Sequence, residues 1–466
     1  MNLKLEKLTF KKSRFFSFIP FGIFIIVTIG LSFCGITDIN MMTGTAVLAL
    51  LLGMFFCTNI DIYWEVIIKG FGSKIGMTAV LLWLIVGIYC NILKNGNIVG
   101  GLVWLGLHTH LNSSAFVVLT FFFSAIFSIA TGSGFGTIST MGFILFPTGI
   151  LMGAKPEFLA GAILSGTAFG GCIAPIFDTT IIASTTQEDF DTNRTTDIGT
   201  ALKARLPLVI IAGVISAVLF YLFGGTKTAN INQNYELLQK FQEPKGLLLL
   251  ISTFLVIIMA IKGINLFVSL SVGIVSAIVI GCIAKLFDLS SLCTIKDGQV
   301  SGAIPDGIAG MTAVSILLIV VVSMGELLIE SGCLNDILNW LNEKVIKTPK
   351  GAEKVMYVLI TIFSILIAAI NSLACICVAP FVNAIGKKNH IDPIRRTNLL
   401  IAGVNTFPFF IPYGGCVLVL LGSISTISKS YSFIPEISQN SMIGTTFFPW
   451  ILWILFFMSC FNKKSN

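Results

Sequence analysis

Apolar runs, many of them about 20 residues and so long enough to cross the hydrocarbon layer of a bilayer, recur from end to end of this 466-residue chain. They fall near 17–35, 43–58, 75–93, 98–107, 114–130, 136–152, 158–173, 174–186 and 204–224. The second half continues them near 246–262, 264–287, 308–329, 354–371, 373–386, 397–410, 411–427 and 442–460. Lipid offers no partner to a bare backbone, so such runs must be helices. The charged fraction agrees: 11% of residues are Asp, Glu, Lys or Arg, against about a quarter in a soluble domain. Alternating ten-residue strands of an outer-membrane barrel are not seen. Several runs are too short or too interrupted to cross alone. The chain is therefore expected to be an all-α, polytopic membrane protein with about 10–13 crossings plus broken or re-entrant helices.

The 44 glycines suit close helix packing or helix breaks. Eleven cysteines stand singly or as Cys375-Ile-Cys377, mostly inside apolar runs, and read as small packing residues rather than a disulfide framework or zinc site. In a soluble chain the net charge of +7 would suggest nucleic acid. Here the basic residues sit in short loops and report topology. The basic N-terminus, the loop with Lys387, Lys388, Arg395 and Arg396, and the tail with Lys463 and Lys464 are expected in the cytoplasm. The first apolar run has no clear small-x-small cleavage site and is expected to be retained as a helix.

Two stretches break the apolar pattern in the first half. Residues 128–142 read SIATGSGFGTISTMG, and residues 164–180 read LSGTAFGGCIAPIFDTT. Pro175 cannot sit in a regular helix, and non-helical backbone at membrane depth is tolerated only beside protein or a water-filled cavity. Breaks of this kind point to a transport site. The second half repeats them as AAINSLA at 368–374 and GVNTFPFFIPYGGC at 403–416. Asn371 lies 240 residues after Thr131, and Pro412 lies 237 after Pro175. Two interruptions at nearly one offset predict two repeats of inverted topology, about 15–225 and 246–460, within one membrane domain covering 1–466. Pro175, Pro412, Gly170 and Gly414 mark the expected breaks.

Asp178 is the first candidate for chemistry. A carboxylate at that depth costs about 2.5 kcal/mol or more unless it holds a cation, a proton or a partner. Beside hydroxyls and broken-helix carbonyls it would suit Na⁺, and desolvation lets it hold H⁺ instead. The bland alternative is that it caps a helix starting at Thr179. Thr179, Thr180, Thr131, Ser133, Thr137 and Thr140 could add neutral oxygens, or merely let helices approach. Asn371, Asn405 and Glu326 are possible contacts for solute or ion. Interhelical hydrogen bonding serves the amides equally well, and headgroups serve Glu326. Asp61, Glu65 and Asp306 read as loop or interface residues. A G-x-S-x-G elbow and a Walker loop are missing, so the chain is not expected to be an enzyme.

These stretches carry a resemblance to the NhaC-type Na⁺/H⁺ antiporter family. The family's TGSSWTTxGTxG stands here as TGSGFGTISTMG at 131–142. Its SGAYFGDKMSPLSDTTN stands as SGTAFGGCIAPIFDTTI at 165–181, and its PLIPWNTCG as PFFIPYGGCV at 408–417. The resemblance continues through 326–332 and 407–422. It implies a bacterial cytoplasmic-membrane antiporter built as an inverted repeat, with no cofactor besides transported Na⁺ and H⁺. Its expected partners are the bilayer and a small ion or small-molecule substrate, with a homodimer left open and no nucleic acid. The family also includes exchangers of organic acids. Here the family's Gly-Asp-Lys is Gly170-Gly171-Cys172, and Ser-Pro-Leu-Ser-Asp is Ala174-Pro-Ile-Phe-Asp178. These changes weaken the case for strict Na⁺/H⁺ exchange. They keep open a Na⁺- or H⁺-coupled carrier of an organic or amino acid.

Overall fold

The computed structural model describes residues 8–11, 13–33, 39–108, 112–175, 177–189, 194–225, 243–262, 264–296, 299–333, 336, 348–368, 371–428 and 431–461. Its helices are α1 (Ile19–Phe33), α2 (Ile39–Gly53), α3 (Ile60–Phe71), α4 (Lys74–Asn95), α5 (Ile98–His108), α6 (Ser113–Thr131) and α7 (Gly134–Leu151). Then come α8 (Pro156–Ile173), α9 (Asp178–Thr186), α10 (Ile198–Phe223), α11 (Leu250–Ile261), α12 (Leu266–Ile283) and α13 (Ala303–Glu330). The chain ends with α14 (Pro349–Leu366), α15 (Asn371–Lys388), α16 (Pro393–Val404), α17 (Gly415–Ser428), α18 (Ser441–Thr445) and α19 (Phe447–Ser459). A two-stranded hairpin, β1 (Thr294–Lys296) and β2 (Gln299–Ser301), precedes α13. The protein is thus helical with a small antiparallel addition.

Among the described residues, α7, the α8–α9 pair, α10 and α13 are long and apolar enough to cross a bilayer, and eight shorter apolar helical segments join them. Val214 and Leu222 of α10 are 57% and 61% exposed, an apolar surface suited to lipid. Sequence reading missed α3, on which Asp61 and Glu65 are exposed. Its polar positions interrupt the apolar run, while Asn59 caps its start by accepting from the Asp61 and Ile62 amides.

Local chemistry explains the breaks. Gly132 ends α6 in the left-handed region at φ 65°, and Ser133 caps α7 by accepting from the Gly136 amide. Proline disfavours helix in the residue before it, and Ala174, before Pro175, is extended at ψ 124° where α8 stops. Within α8, Gly166 and Gly170 lie one turn apart. A Cβ on either would strike the carbonyl oxygen of Phe121 or Ala125 in α6. Gly170 was expected to mark a break. It lies inside the helix, where its missing side chain permits close packing on α6.

The two halves follow one plan. Helices α14, α15, α16 and α17 begin 236, 237, 237 and 237 residues after α6, α7, α8 and α9. One tertiary bond repeats as well. Ser128 donates to the Thr167 carbonyl at 2.9 Å, and Ser364, 236 residues on, donates to that of Gly403 at 3.1 Å. The packing is reciprocal, with α7 on α17 and α9 on α15.

Directions can be followed through the contacts. Ala154, before α8, bridges Gly225 beyond α10, while Glu188, after α9, bridges Thr195 before α10. The α8–α9 pair therefore runs from the face of residue 154 to that of residue 188, the reverse of α10. Helix α15 runs beside α9 in the same sense. The Cys375 thiol meets the Thr179 carbonyl, Gln187 donates to the Ala379 carbonyl, and Lys387 pairs with Glu188 at 2.7 Å. Because α7 ends on the opposite face, near residue 154, its equivalent α15 points the other way.

Candidate functional site

The α8–α9 break brings a carboxylate to the start of a short helix. Phe177 occupies the N-cap position with extended backbone and no side-chain capping bond, and α9 starts at Asp178 itself. The capping alternative for Asp178 therefore does not describe this helix start. The Ser372 hydroxyl, in the first turn of α15, donates to Asp178 Oδ2 at 3.5 Å. Asp178 remains exposed between buried Phe177 and Thr179. Ile181, 42% exposed, and exposed Thr185 extend the same face of α9 toward residue 188.

Behind the carboxylate, a chain of amides ties the breaks together. Asn405, the residue that closes α16, donates to Thr179 Oγ1 at 2.8 Å. Asn371 donates to Asn405 Oδ1 at 2.9 Å, and its own Oδ1 accepts from the Ser372 amide at 3.1 Å. Thr179 and Asn405 are fully buried, where a lost partner leaves a costly orphan. Asp178, Thr179, Asn371 and Asn405 are thus brought together, although 193 residues separate Asp178 from Asn371 in the chain. Pro412 and Gly414 lie in the second break, between α16 and α17. Gly414 is required there because a Cβ would strike the Pro408 carbonyl oxygen.

The other expected contributors make the following described contacts. Ser133 accepts from the Gly136 amide, and Thr137 donates to the Ser133 carbonyl at 2.7 Å, both within the first turn of α7. Thr140 is fully buried in α7, and its Oγ1 has no hydrogen-bond partner among the described residues. Thr131 ends α6, and its side chain lies outside the described ones. Glu326 pairs with Lys69 of α3 at 2.7 Å, and Lys69 also bonds Glu330. This cluster ties α3 to α13, and no described hydrogen bond or ion pair joins it to Asp178.

The Phe177 ring occupies the space beside two glycines. A Cβ at Gly171 would lie 2.8 Å from the ring, and one at Gly134 would lie 3.4 Å from it. The departures at 171 and 177 are therefore linked. Where the family pattern has Asp and Ser, this chain has an absent side chain and the ring that covers it.

Sequence reading overlooked Arg205. It lies in α10, is 1% exposed, and donates to the Cys172 carbonyl at 2.7 Å, Thr180 Oγ1 at 3.4 Å and Asn398 Oδ1 at 3.5 Å. An arginine within an apolar run was the available signal. Its place at the edge of a mixed-charge loop disguised it.

Fold and site together define a polytopic helical membrane protein whose broken helices converge on a carboxylate and a buried amide chain. The comparisons with known proteins add the relatives. No family model matches the chain. It is 31% identical over 214 residues to the malate-2H⁺/Na⁺-lactate antiporter of Bacillus subtilis, covering 44% of this chain and 43% of that protein. It is 26% identical over 238 residues to the Na⁺/H⁺ antiporter NhaC of Alkalihalophilus pseudofirmus, covering 50% of each. The chain thus matches about half the length of these curated relatives. The resemblance to NhaC-type antiporters read from the motifs is present in these alignments. Among solved structures, the YdaH transporter of Alcanivorax borkumensis aligns over 86% of this chain and 89% of its own, at 11% identity and TM-score 0.42. MtrF of Neisseria gonorrhoeae aligns over 96% of this chain and 97% of its own, at 12% identity and TM-score 0.43.

Proposed function

We propose that this chain is a secondary antiporter of the bacterial cytoplasmic membrane, in which Asp178 holds Na⁺ and H⁺ in turn during alternating access. The observation that carries this reading is the placement of Asp178. It is a carboxylate at a helix break with an exposed face, and its neighbour Thr179 is tied through Asn405 to Asn371 of the other half. A charge at such depth cannot face hydrocarbon cheaply, so the exposed face of α9 serves as an aqueous approach. Oxygen donors with one negative charge suit a hard cation, and Na⁺ arriving at the carboxylate displaces its proton. We also propose two inverted repeats, about 15–225 and 246–460. The equal helix offsets and the opposed directions of α7 and α15 support them.

The test is reconstitution in vesicles. An imposed Na⁺ gradient should drive an internal pH change that Asp178→Asn abolishes. Na⁺-driven proton movement that persists undiminished in Asp178→Asn would overturn the assignment.

A further inference from the structure

A cavity of about 850 Å³ lies between α10, α14 and α16. Residues 389–392, which follow α15, also border it, placing its opening on the face that carries Lys387 and Glu188. Its charges are mixed. Arg205 and Arg395 line it together with Glu353 and Asp392, so neither a bare anion nor a bare cation matches the whole lining. The four differ in reach. Arg205 is 1% exposed and is held by the Cys172 carbonyl, Thr180 and Asn398, so it belongs to the floor. Arg395 is easier to reach, with 21% of its side chain exposed. Its Nε and Nη2 donate to Glu353, and Nη2 also bonds Ser459 and Cys460, while Nη1 enters none of the described bonds. Asp392 is exposed, and its Oδ1 caps α16 by accepting from the Ile394 amide at 2.9 Å. Its Oδ2 takes part in no described bond.

Below the opening, α10 continues the lining as an apolar path. Ala204 and Leu208 of α10 border the cavity. Exposed Ile211, Ile215, Val218 and Leu222 follow at spacings of three and four residues, which places them on one side of the helix. Helix α10 starts at the face of Glu188 and runs away from it, so this stripe leads from the cavity into the bilayer. At about 1.5 Å per residue, Leu208 to Leu222 covers about 21 Å, more than half of a hydrocarbon layer about 30 Å thick.

We propose that this cavity is a binding site for a phospholipid of the adjacent leaflet whose headgroup carries both a phosphate and a primary ammonium, as phosphatidylethanolamine does. The proposal goes beyond the antiport reading and does not depend on which solutes move. The phosphate oxygens meet Nη1 of Arg395, since a guanidinium fork suits them. The ammonium has three N–H donors and gives one to Asp392 Oδ2. The acyl chains follow the α10 stripe, where apolar side chains already face lipid. The mixed lining selects among headgroups. Phosphatidylglycerol sets its phosphate against Asp392 and Glu353 with no positive charge to offset them. Phosphatidylcholine has the positive charge but no N–H to donate.

The experiment uses delipidated full-length protein in detergent, with thermal unfolding followed as lipid is titrated in at fixed ionic strength and pH. The probes are dioleoyl phosphatidylethanolamine, the matching phosphatidylcholine and phosphatidylglycerol, and water-soluble glycerophosphoethanolamine. The ethanolamine lipid should raise the melting temperature in a saturable way, at a lower mole fraction than the other two lipids. Asp392→Asn keeps an oxygen that caps α16 but removes the charge. It should weaken the ethanolamine response by about fivefold and leave the choline response unchanged. Ala204→Trp, at an exposed position on the cavity wall, should fill the mouth and abolish the preference among lipids. Both variants change exposed positions, so both are expected to fold. Equal responses to the three lipids overturn the proposal, as does an ethanolamine preference that persists unchanged in both folded variants. A response to glycerophosphoethanolamine as strong as that to the lipid overturns the lipid class and assigns the cavity to a soluble phosphodiester.

Discussion

The breaks at 174–177 and 405–414 stand at equivalent places in two halves whose helices begin 237 residues apart, yet their chemistry is opposite. The first is short and leads directly into Asp178, whose face stays open. The second is longer and closed. Phe407, Phe409, Phe410, Ile411 and Tyr413 are all buried, Phe410 stacks on Trp450 with centroids 4.3 Å apart, and Gly415 stands at the position equivalent to Asp178. Both breaks supply helix ends, but only the first places a carboxylate on an open face, the feature on which the proposed cation exchange rests. The second break instead contributes Asn405, which links Thr179 to Asn371 at the start of α15.

This contrast can be broken by substitution. The largest effect belongs to Asp178→Asn, with complete loss of the Na⁺-driven pH change in vesicles. If Asn405→Leu removed transport just as completely, with the protein still folded, the division between an ion-holding break and a supporting break would fail. We expect Asn405→Leu to reduce the flux without ending it. It should also destabilise the protein by about 1–3 kcal/mol, because Thr179 and Asn371 lose buried partners. Denaturation in detergent measures that cost.

Phe177 sharpens the comparison further. Gly171→Asp should overpack the ring contact and cost about 1–3 kcal/mol. Adding Phe177→Ser removes the ring, so the double variant should be more stable than Gly171→Asp alone. Additive losses in a double-mutant cycle would show that the two positions do not share this space.

The smallest effect concerns pH at the far end of α9. The Lys387 ammonium holds the Glu188 carboxyl below its usual range. Its contribution is present above the unfolded-state value and is lost as pH falls through the lower folded-state one. The Lys387–Glu188 pair is partly open to solvent, so the contribution is small. Lys387→Ala should lower the melting temperature slightly at neutral pH, with the difference from wild type vanishing in acid. A gap that widens in acid would contradict this linkage.

Much of the fold was legible because the bilayer imposes a simple rule. Apolar length reports a helix, and Pro175 and Pro412 report where helices cannot continue. Gly170 was misplaced because a glycine that breaks a helix and one that lets two helices touch look alike in sequence. Glu326 was ambiguous for a similar reason. Its partner Lys69 lies more than 250 residues away in the chain, and only packing brings α3 to α13.

Sequence alone determined the helical membrane class, the paired interruptions and the carboxylate worth testing, since these follow from local composition and the cost of burying charge. The tertiary structure decided which polar groups meet. It joined Asp178 and Thr179 to Ser372, Asn405 and Asn371. It also buried Arg205 against the Cys172 carbonyl. Those outcomes depend on helix rotation and register, which are set by close packing at positions such as Gly166 and Gly170. A sequence read one segment at a time does not carry that information.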